Sequence, residues 1–166
     1  MKLNIAGIIP ESVVDAPGGI SYTIFAQGCY HQCKGCHNPQ THSFKGGRLM
    51  TVDEVIKDTI KYPLSKVVTF SGGDPFYQPK EFALLSKKLK VKQYRLVAYT
   101  GFLFEQLLND VEKKEFLVNL DLLIDGPFME ELKNVDLDFR GSSNQRIIDV
   151  QKSLSTDKIC LHQLNT

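Results

Sequence analysis

Short apolar runs alternate along the chain with stretches in which apolar residues recur every three or four positions. The short runs are rich in β-branched and aromatic residues and predict strands, which span 5–9, 20–27, 66–70, 94–99, 120–124 and 147–150. The run 5–9, followed by Pro10 and a turn-rich segment, is interpreted as an edge strand. The run 20–27 ends at Gly28 and is interpreted as the first central strand.

Helical periodicity separates the later strands. Thr51 and Glu54 form a capping-box pattern that predicts the start of a helix, and apolar residues follow at helical spacing. Pro79 is placed as the first residue of a second helix, and Phe104 begins a third. Residues 151–166 show no clear pattern and are interpreted as a loosely held C-terminal tail.

The alternation of strands and helices suits parallel βαβ units. The expected fold class is therefore α/β, with a mostly parallel sheet and helices on its outer face. A chain of 166 residues fits one domain, 1–166. Because ligands bind at the carboxyl ends of parallel strands, the segments that follow the strands form the candidate site. These segments are 28–39, 71–75, 100–101 and Asp125.

Charge and hydropathy exclude several classes of partner. The chain has 20 Lys and Arg residues against 19 Asp and Glu residues, so no net charge favours nucleic acid or an anionic membrane. The N-terminus lacks the pattern of a signal peptide, and no apolar segment approaches the roughly 18 residues of a membrane span. We therefore expect a cytoplasmic protein with neither nucleic acid nor a membrane as partner.

Three of the four cysteines lie in one loop: Cys29, Cys33 and Cys36, spaced C-x3-C-x2-C. Three thiolates can bind three irons of a [4Fe-4S] cluster and leave the fourth iron open to a small molecule. The same loop could instead hold zinc in a Cys3His site completed by His31 or His37. A disulfide framework is disfavoured in a reducing compartment. The spacing alone leaves zinc and the cluster as alternatives.

A second candidate loop, Ser-Gly-Gly-Asp-Pro at 71–75, follows a strand and precedes a helix. Gly72 and Gly73 let the backbone approach a ligand closely, and Asp74 can accept hydrogen bonds from an amine. The loop lacks the lysine and the spacing of a P-loop, and a plain turn is the alternative. Beside a cluster, it could hold the amine of a ligand that chelates the open iron.

Together these motifs resemble the radical S-adenosylmethionine superfamily and, within it, the anaerobic ribonucleoside-triphosphate reductase-activating proteins. The stretches that carry the resemblance are 28–39, 71–75, 125–128 and 139–146. The superfamily usually has an aromatic residue before the third cysteine, whereas this chain has Gly35, as the activating proteins tend to have. The family often continues with Thr-Trp, but Thr41 is followed here by His42, which is interpreted as a surface residue.

The resemblance implies a partial (β/α) barrel and an oxidoreductase that reductively cleaves S-adenosylmethionine at a [4Fe-4S] cluster. The implied substrate is a glycine of the class III ribonucleotide reductase, which loses a hydrogen to become a glycyl radical. The implied electron donor is a flavodoxin or ferredoxin, and no side chain has to act as acid or base. The implied iron ligands are Cys29, Cys33 and Cys36. The residues implied to bind S-adenosylmethionine are Gly35, Cys36, His37, Gly72, Gly73, Asp74 and Asp125.

Two other functions remain open from the sequence. One is a non-catalytic binding module stabilised by zinc, with His37 or a Cys160 and His162 pair completing the site. The other is an activase of a different glycyl-radical enzyme. Three polar residues of the last matching stretch would complete the pocket or face the partner: Arg140, Ser142 and Asn144.

Overall fold

The structure, a computed structural model that describes residues 1–164, is a mixed α/β fold built on one seven-stranded sheet. The strands are β1 (Lys2–Ser12), β2 (Ser21–Ala26), β3 (Arg48–Thr51), β4 (Val67–Gly72), β5 (Arg95–Tyr99), β6 (Leu122–Asp125) and β7 (Arg146–Asp149). The α-helices are α1 (Val52–Ile60), α2 (Pro79–Val91), α3 (Phe104–Leu108), α4 (Val111–Leu117) and α5 (Val150–Thr156). None of the helices within residues 1–164 is long and apolar enough to span a membrane.

The sheet has the order β3-β1-β2-β4-β5-β6-β7. Its centre, β2, β4, β5 and β6, is parallel, whereas β1, β3 and β7 pair antiparallel with their neighbours. The expected α/β class is confirmed, and the parallel arrangement is restricted to the four central strands. The connection from β1 to β2 has no helix and is too short for a parallel crossover, which makes that pair antiparallel.

The interpretation of the first strand as an edge strand is wrong. β1 lies between β2 and β3, and β3 pairs with it from Lys2 opposite Thr51 to Ile5 opposite Arg48. β3 was not expected because its four residues are exposed or half-buried and carry no run of apolar residues. Its position depends on pairing with a distant strand, which local periodicity does not reveal.

The larger apolar core lies between one face of the sheet and the helices. Strand residues such as Tyr22, Phe70 and Leu96 contribute to it, together with Phe82 and Phe116 from the helices. The opposite face carries a smaller cluster, formed mainly by the side chains of Val67, Val97, Leu122, Ile124 and Ile147. The helices thus pack against one side of the sheet, as expected.

All three predicted helix starts, at Thr51, Pro79 and Phe104, are confirmed. Thr51 Oγ1 accepts a hydrogen bond from Glu54 N at 3.1 Å, and Glu54 Oε2 accepts one from Thr51 N at 2.8 Å. α2 begins at Pro79, which has no backbone N–H to satisfy.

The interpretation of 151–166 as a loose tail is wrong for its first part. Asp149 caps α5 by accepting a hydrogen bond from Lys152 N at 3.0 Å, and Val150 and Ser153 are buried. The chain then returns to β7, where Asp149 N donates to Cys160 O at 2.9 Å. Residues 165 and 166 of the predicted tail lie outside the described residues.

Replacing Phe116 by alanine should destabilise the fold by about 3–5 kcal/mol. The Phe116 ring is fully buried, with its centroid 4.4 Å from that of Phe76 and 5.5 Å from that of Phe70. The matched control on the same helix is Val111→Ala, because Val111 is 81% exposed and should change stability by less than about 0.5 kcal/mol. Urea unfolding measures both, and equal effects would contradict this description of the core.

Candidate functional site

The loops that follow β2, β4, β5 and β6 meet at the carboxyl ends of these strands and line a cavity of about 520 Å³. Cys29, Cys33 and Cys36 all lie on its wall. Each of the other three strand-end segments also contributes to the wall, through residues that include Gly72, Gly73, Thr100, Gly101 and Gly126. The structure therefore brings together three of the four segments that the strand pattern had indicated, and after β6 the wall residue is Gly126 rather than the predicted Asp125.

The base of the cysteine loop is closed by its own backbone. Gly28 N donates to Thr41 O at 2.7 Å, and Cys29 N donates to His42 O at 3.1 Å. His42, interpreted from the sequence as a surface residue, is instead half-buried and lines the cavity. This correction follows from the backbone pairing, which turns residues 41–42 inwards beside Cys29.

The three thiols differ in environment. Cys29 is buried, Cys33 and Cys36 are half-buried, and none of the three takes part in a disulfide. Burial is the main reason why the pKa of Cys29 is raised to about 11. Within residues 1–164 no group of three His, Cys, Asp or Glu side chains is arranged to hold a single metal ion.

Three soft sulfur donors on one wall, beside a space of about 520 Å³, fit an iron–sulfur cluster with three protein ligands. The backbone also donates a hydrogen bond to one of these sulfurs, from Asn38 N to Cys36 Sγ at 3.4 Å. Such a hydrogen bond stabilises negative charge on sulfur.

Gly72 is required by the close approach of β2, and Gly73 by the close approach of the cysteine loop. The pairing of β2 with β4 continues beyond Gly72, because Gly73 N donates to Ala26 O at 2.8 Å. A Cβ on Gly72, whose φ is +101°, would lie 2.3 Å from Ala26 N. A Cβ on Gly73 would lie 2.4 Å from Gly28 O. Both glycines also line the cavity, where the sequence analysis had expected them to face a ligand.

The carboxylate of Asp74 lies behind the cavity wall and is only 1% exposed. Its Oδ1 accepts a hydrogen bond from Phe76 N at 3.0 Å. Its Oδ2 accepts hydrogen bonds from His31 Nε2 at 2.7 Å, Thr100 Oγ1 at 2.8 Å and Gly101 N at 2.9 Å. Direct contact between Asp74 and a ligand amine stays a prediction, and the buried position does not favour it.

Asp125 is likewise fully buried and does not line the cavity. It accepts hydrogen bonds from Arg146 Nε at 3.0 Å and Arg146 Nη2 at 2.6 Å, and from Phe104 N at 2.9 Å. Arg146 also binds Glu105 at 3.0 Å, and this contact lowers the pKa of Glu105. Asp125 thus joins the ends of β6, β7 and α3, and its predicted contact with a ligand is not favoured either.

Of the remaining predicted residues, two line the cavity and one does not. Cys36 and His37 line the cavity, whereas Gly35 is exposed and lies outside its wall. Arg140, which was expected either to complete the pocket or to face the partner, lines the cavity. Its buried Nε has no hydrogen-bond partner among the described residues. The signal in the sequence that could have indicated this position is an arginine within a stretch rich in Gly, Ser and Asn.

Comparison with known proteins agrees with this site. A family model described as a 4Fe-4S single cluster domain matches residues 14–148. The anaerobic ribonucleoside-triphosphate reductase-activating protein of Vibrio cholerae is 33% identical over 153 residues, which cover 87% of this chain and 97% of that protein. The chain belongs to this family of activating proteins. The family member from Haemophilus influenzae is also 33% identical, over 87% of this chain and 97% of its own length.

A more distant member, from Escherichia coli K12, is 28% identical over 86% of this chain and 96% of its own length. Among solved structures, QueE from Escherichia coli superposes with a TM-score of 0.50 and 14% identity, covering 60% of this chain and 53% of QueE. That likeness concerns the fold alone. The matching 4Fe-4S family model confirms the cluster, rather than zinc, as the cofactor expected of this chain.

Replacing Arg146 by glutamine should destabilise the fold by about 3 kcal/mol, because the fully buried Asp125 would lose its charged partner. The control is Lys88→Gln, which removes an ion pair with Asp53 whose side chains are 45% and 72% exposed. That loss should cost less than about 1 kcal/mol. Urea unfolding at neutral pH compares the two, and a loss from Arg146→Gln as small as that of the control would contradict the structural role of Asp125.

Proposed function

We propose that this chain activates an anaerobic ribonucleotide reductase by generating a glycyl radical on it. In this proposal the chain holds a [4Fe-4S] cluster and binds S-adenosylmethionine beside it. The observation that carries the proposal is that Cys29, Cys33 and Cys36 line one cavity at the strand ends. Membership of a family named for activating this reductase supports the choice of partner.

The three cysteines are proposed to bind three irons and to leave the fourth for S-adenosylmethionine. When bound and reduced, the cluster supplies the electron that breaks a carbon–sulfur bond of S-adenosylmethionine, which yields the radical that takes a hydrogen from glycine. The surrounding residues bind and orient the ligand and limit access of water. No side chain of the chain has to move a proton, so no acid or base is assigned.

Several wall residues are proposed to hold the ligand. Gly72 and Gly73 bring backbone groups to the cavity beside the cysteines and are assigned to its amine. His37 and the backbone at Cys36 form the adjacent wall. Arg140 is assigned to its carboxylate, since its guanidinium has a buried donor without a protein partner. Gly35 stays a predicted contact outside the wall.

The type of barrel, the domain organisation, the electron donor and the location of the protein are also proposed. The four parallel strands and the helices on one face support a partial (β/α) barrel. A continuous sheet supports a single domain over 1–166. A flavodoxin or ferredoxin is proposed as the electron donor. A cytoplasmic location is proposed because thiolate ligands require a reducing compartment.

The relatives named above all carry the name of the ribonucleotide reductase activator, which favours this partner over another glycyl-radical enzyme. A binding module stabilised by zinc is the weaker alternative, since the family model describes a 4Fe-4S domain.

Replacing Cys33 by alanine should abolish the function. After anaerobic reconstitution, the unchanged chain should contain about four irons. With dithionite and S-adenosylmethionine it should form 5′-deoxyadenosine and, with the reductase, a glycyl radical visible by electron paramagnetic resonance. Cys33→Ala should lose most of its iron and both products. Cys160→Ala is the matched control, because Cys160 lies away from the cavity and should leave both intact.

Full iron content and radical formation in Cys33→Ala would contradict the proposed ligands. Stoichiometric zinc in the unchanged chain, without iron or 5′-deoxyadenosine, would support the zinc-binding module instead. Formation of 5′-deoxyadenosine without a radical on the reductase would keep the chemistry and overturn the partner. Other glycyl-radical enzymes would then be offered as substrates.

A further inference from the structure

Asp74 is hydrogen bonded to three different loops. Its carboxylate accepts from Phe76 N after β4, from His31 Nε2 after β2, and from Thr100 Oγ1 and Gly101 N after β5. We propose that Asp74 is a positioning residue that fastens the cysteine loop to the turn after β5 through His31.

The number of donors exceeds what a helix cap needs. Asp74 precedes a short 3₁₀ turn, Pro75–Tyr77, and the bond from Phe76 N to Oδ1 already caps it. The other three donors all converge on Oδ2 at 2.7–2.9 Å. Burial of a carboxylate without hydrogen-bond partners is strongly unfavourable. At Asp74 the partners of Oδ2 come from the loops after β2 and β5. The three contacts to Oδ2 therefore serve to connect loops.

The position of the His31 ring is fixed by packing as well. The ring meets Phe102 edge-to-face with centroids 4.5 Å apart, and its side chain is 16% exposed. A Cβ on Gly101 would lie 2.6 Å from His31 Cδ2, so the turn after β5 has room for this ring only because residue 101 is glycine. The turn and the histidine are complementary in shape and in hydrogen bonding.

The cysteine loop has little hydrogen bonding of its own. Between residues 30 and 37, all of which are described, the structure gives one backbone–backbone hydrogen bond, from Cys36 N to Cys33 O at 3.2 Å. His31 lies between Cys29 and Cys33 in the sequence. Anchoring the His31 side chain therefore also limits the movement of the segment that joins these two cysteines.

The test uses the metal-free chain, so that it does not depend on the cluster or on the activity. The central variant is Asp74→Ser, because serine still caps the 3₁₀ turn but cannot accept all three donors to Oδ2. His31→Ala removes the histidine side of the contact. His31→Gln keeps a side-chain N–H donor, and Thr100→Val removes one hydroxyl at nearly constant shape.

Two measurements report on the two ends of the connection. Hydrogen exchange by mass spectrometry follows the amides of 99–104, and the alkylation rate by iodoacetamide, resolved by residue, follows Cys29 with Cys160 as an internal reference. Asp74→Ser and His31→Ala should each accelerate both processes roughly tenfold or more. His31→Gln should restore most of the protection, and Thr100→Val should give a smaller increase.

The matched control is Asp149→Asn, which changes another capping aspartate far from the cavity. Its effect should be confined to the amides at the start of α5. If Asp74→Ser does not fold, His31→Ala and Thr100→Val carry the test alone.

Several results would overturn the proposal. Unchanged exchange at 99–104 together with unchanged alkylation of Cys29 in His31→Ala would show that the loops are not connected. An effect of Asp74→Ser limited to the 3₁₀ turn would make Asp74 a cap. A loss of affinity for S-adenosylmethionine in Asp74→Ser, with no change in the metal-free chain, would make it a direct ligand contact. Any of these would leave the proposed activase function standing.

Discussion

The site depends on the close contact between two backbones, at Gly28 in the cysteine loop and at Gly73 beyond the end of β4. Asp74 N donates to Gly28 O at 3.0 Å, and no side chain fits between the two segments. This contact extends the parallel pairing of β2 and β4 into the loops. It places the first cysteine and the glycine pair on the same wall. The fold itself requires glycine at these positions, whether or not a ligand is bound.

A second constraint is the position of negatively charged side chains relative to the cavity. Asp74 and Asp125 both lie at or just beyond the ends of parallel strands, are buried, and find all their partners within the protein. Neither reaches the cavity, whose wall carries thiols, imidazoles, backbone groups, Arg140 and one acidic residue, Asp15. A cluster with thiolate ligands brings negative charge of its own. On the cavity wall the guanidinium of Arg140 can offset this charge, whereas the carboxylate of Asp15 cannot.

The central strands, the starts of α1 and α2 and the convergence of four loops could be predicted, because apolar periodicity and capping residues act locally. β3 could not, since its exposed residues are held only by pairing with β1. The protein partners of Asp74 and Asp125 and the position of His42 on the cavity wall could not be predicted either. Each depends on neighbours that are distant in sequence, such as Arg146 for Asp125. A residue after a strand can face the cavity or support the wall, and the sequence does not distinguish the two.

The separation of the apolar core from the cysteine loop has a consequence for how the fold depends on the cofactor. None of the three cysteines belongs to the core between sheet and helices, which the described residues complete without metal. In zinc fingers, by contrast, metal binding supplies the energy of folding. Here the packing of the sheet against the helices rests on apolar side chains rather than on a cofactor. We therefore expect loss of the cofactor to leave this core in place.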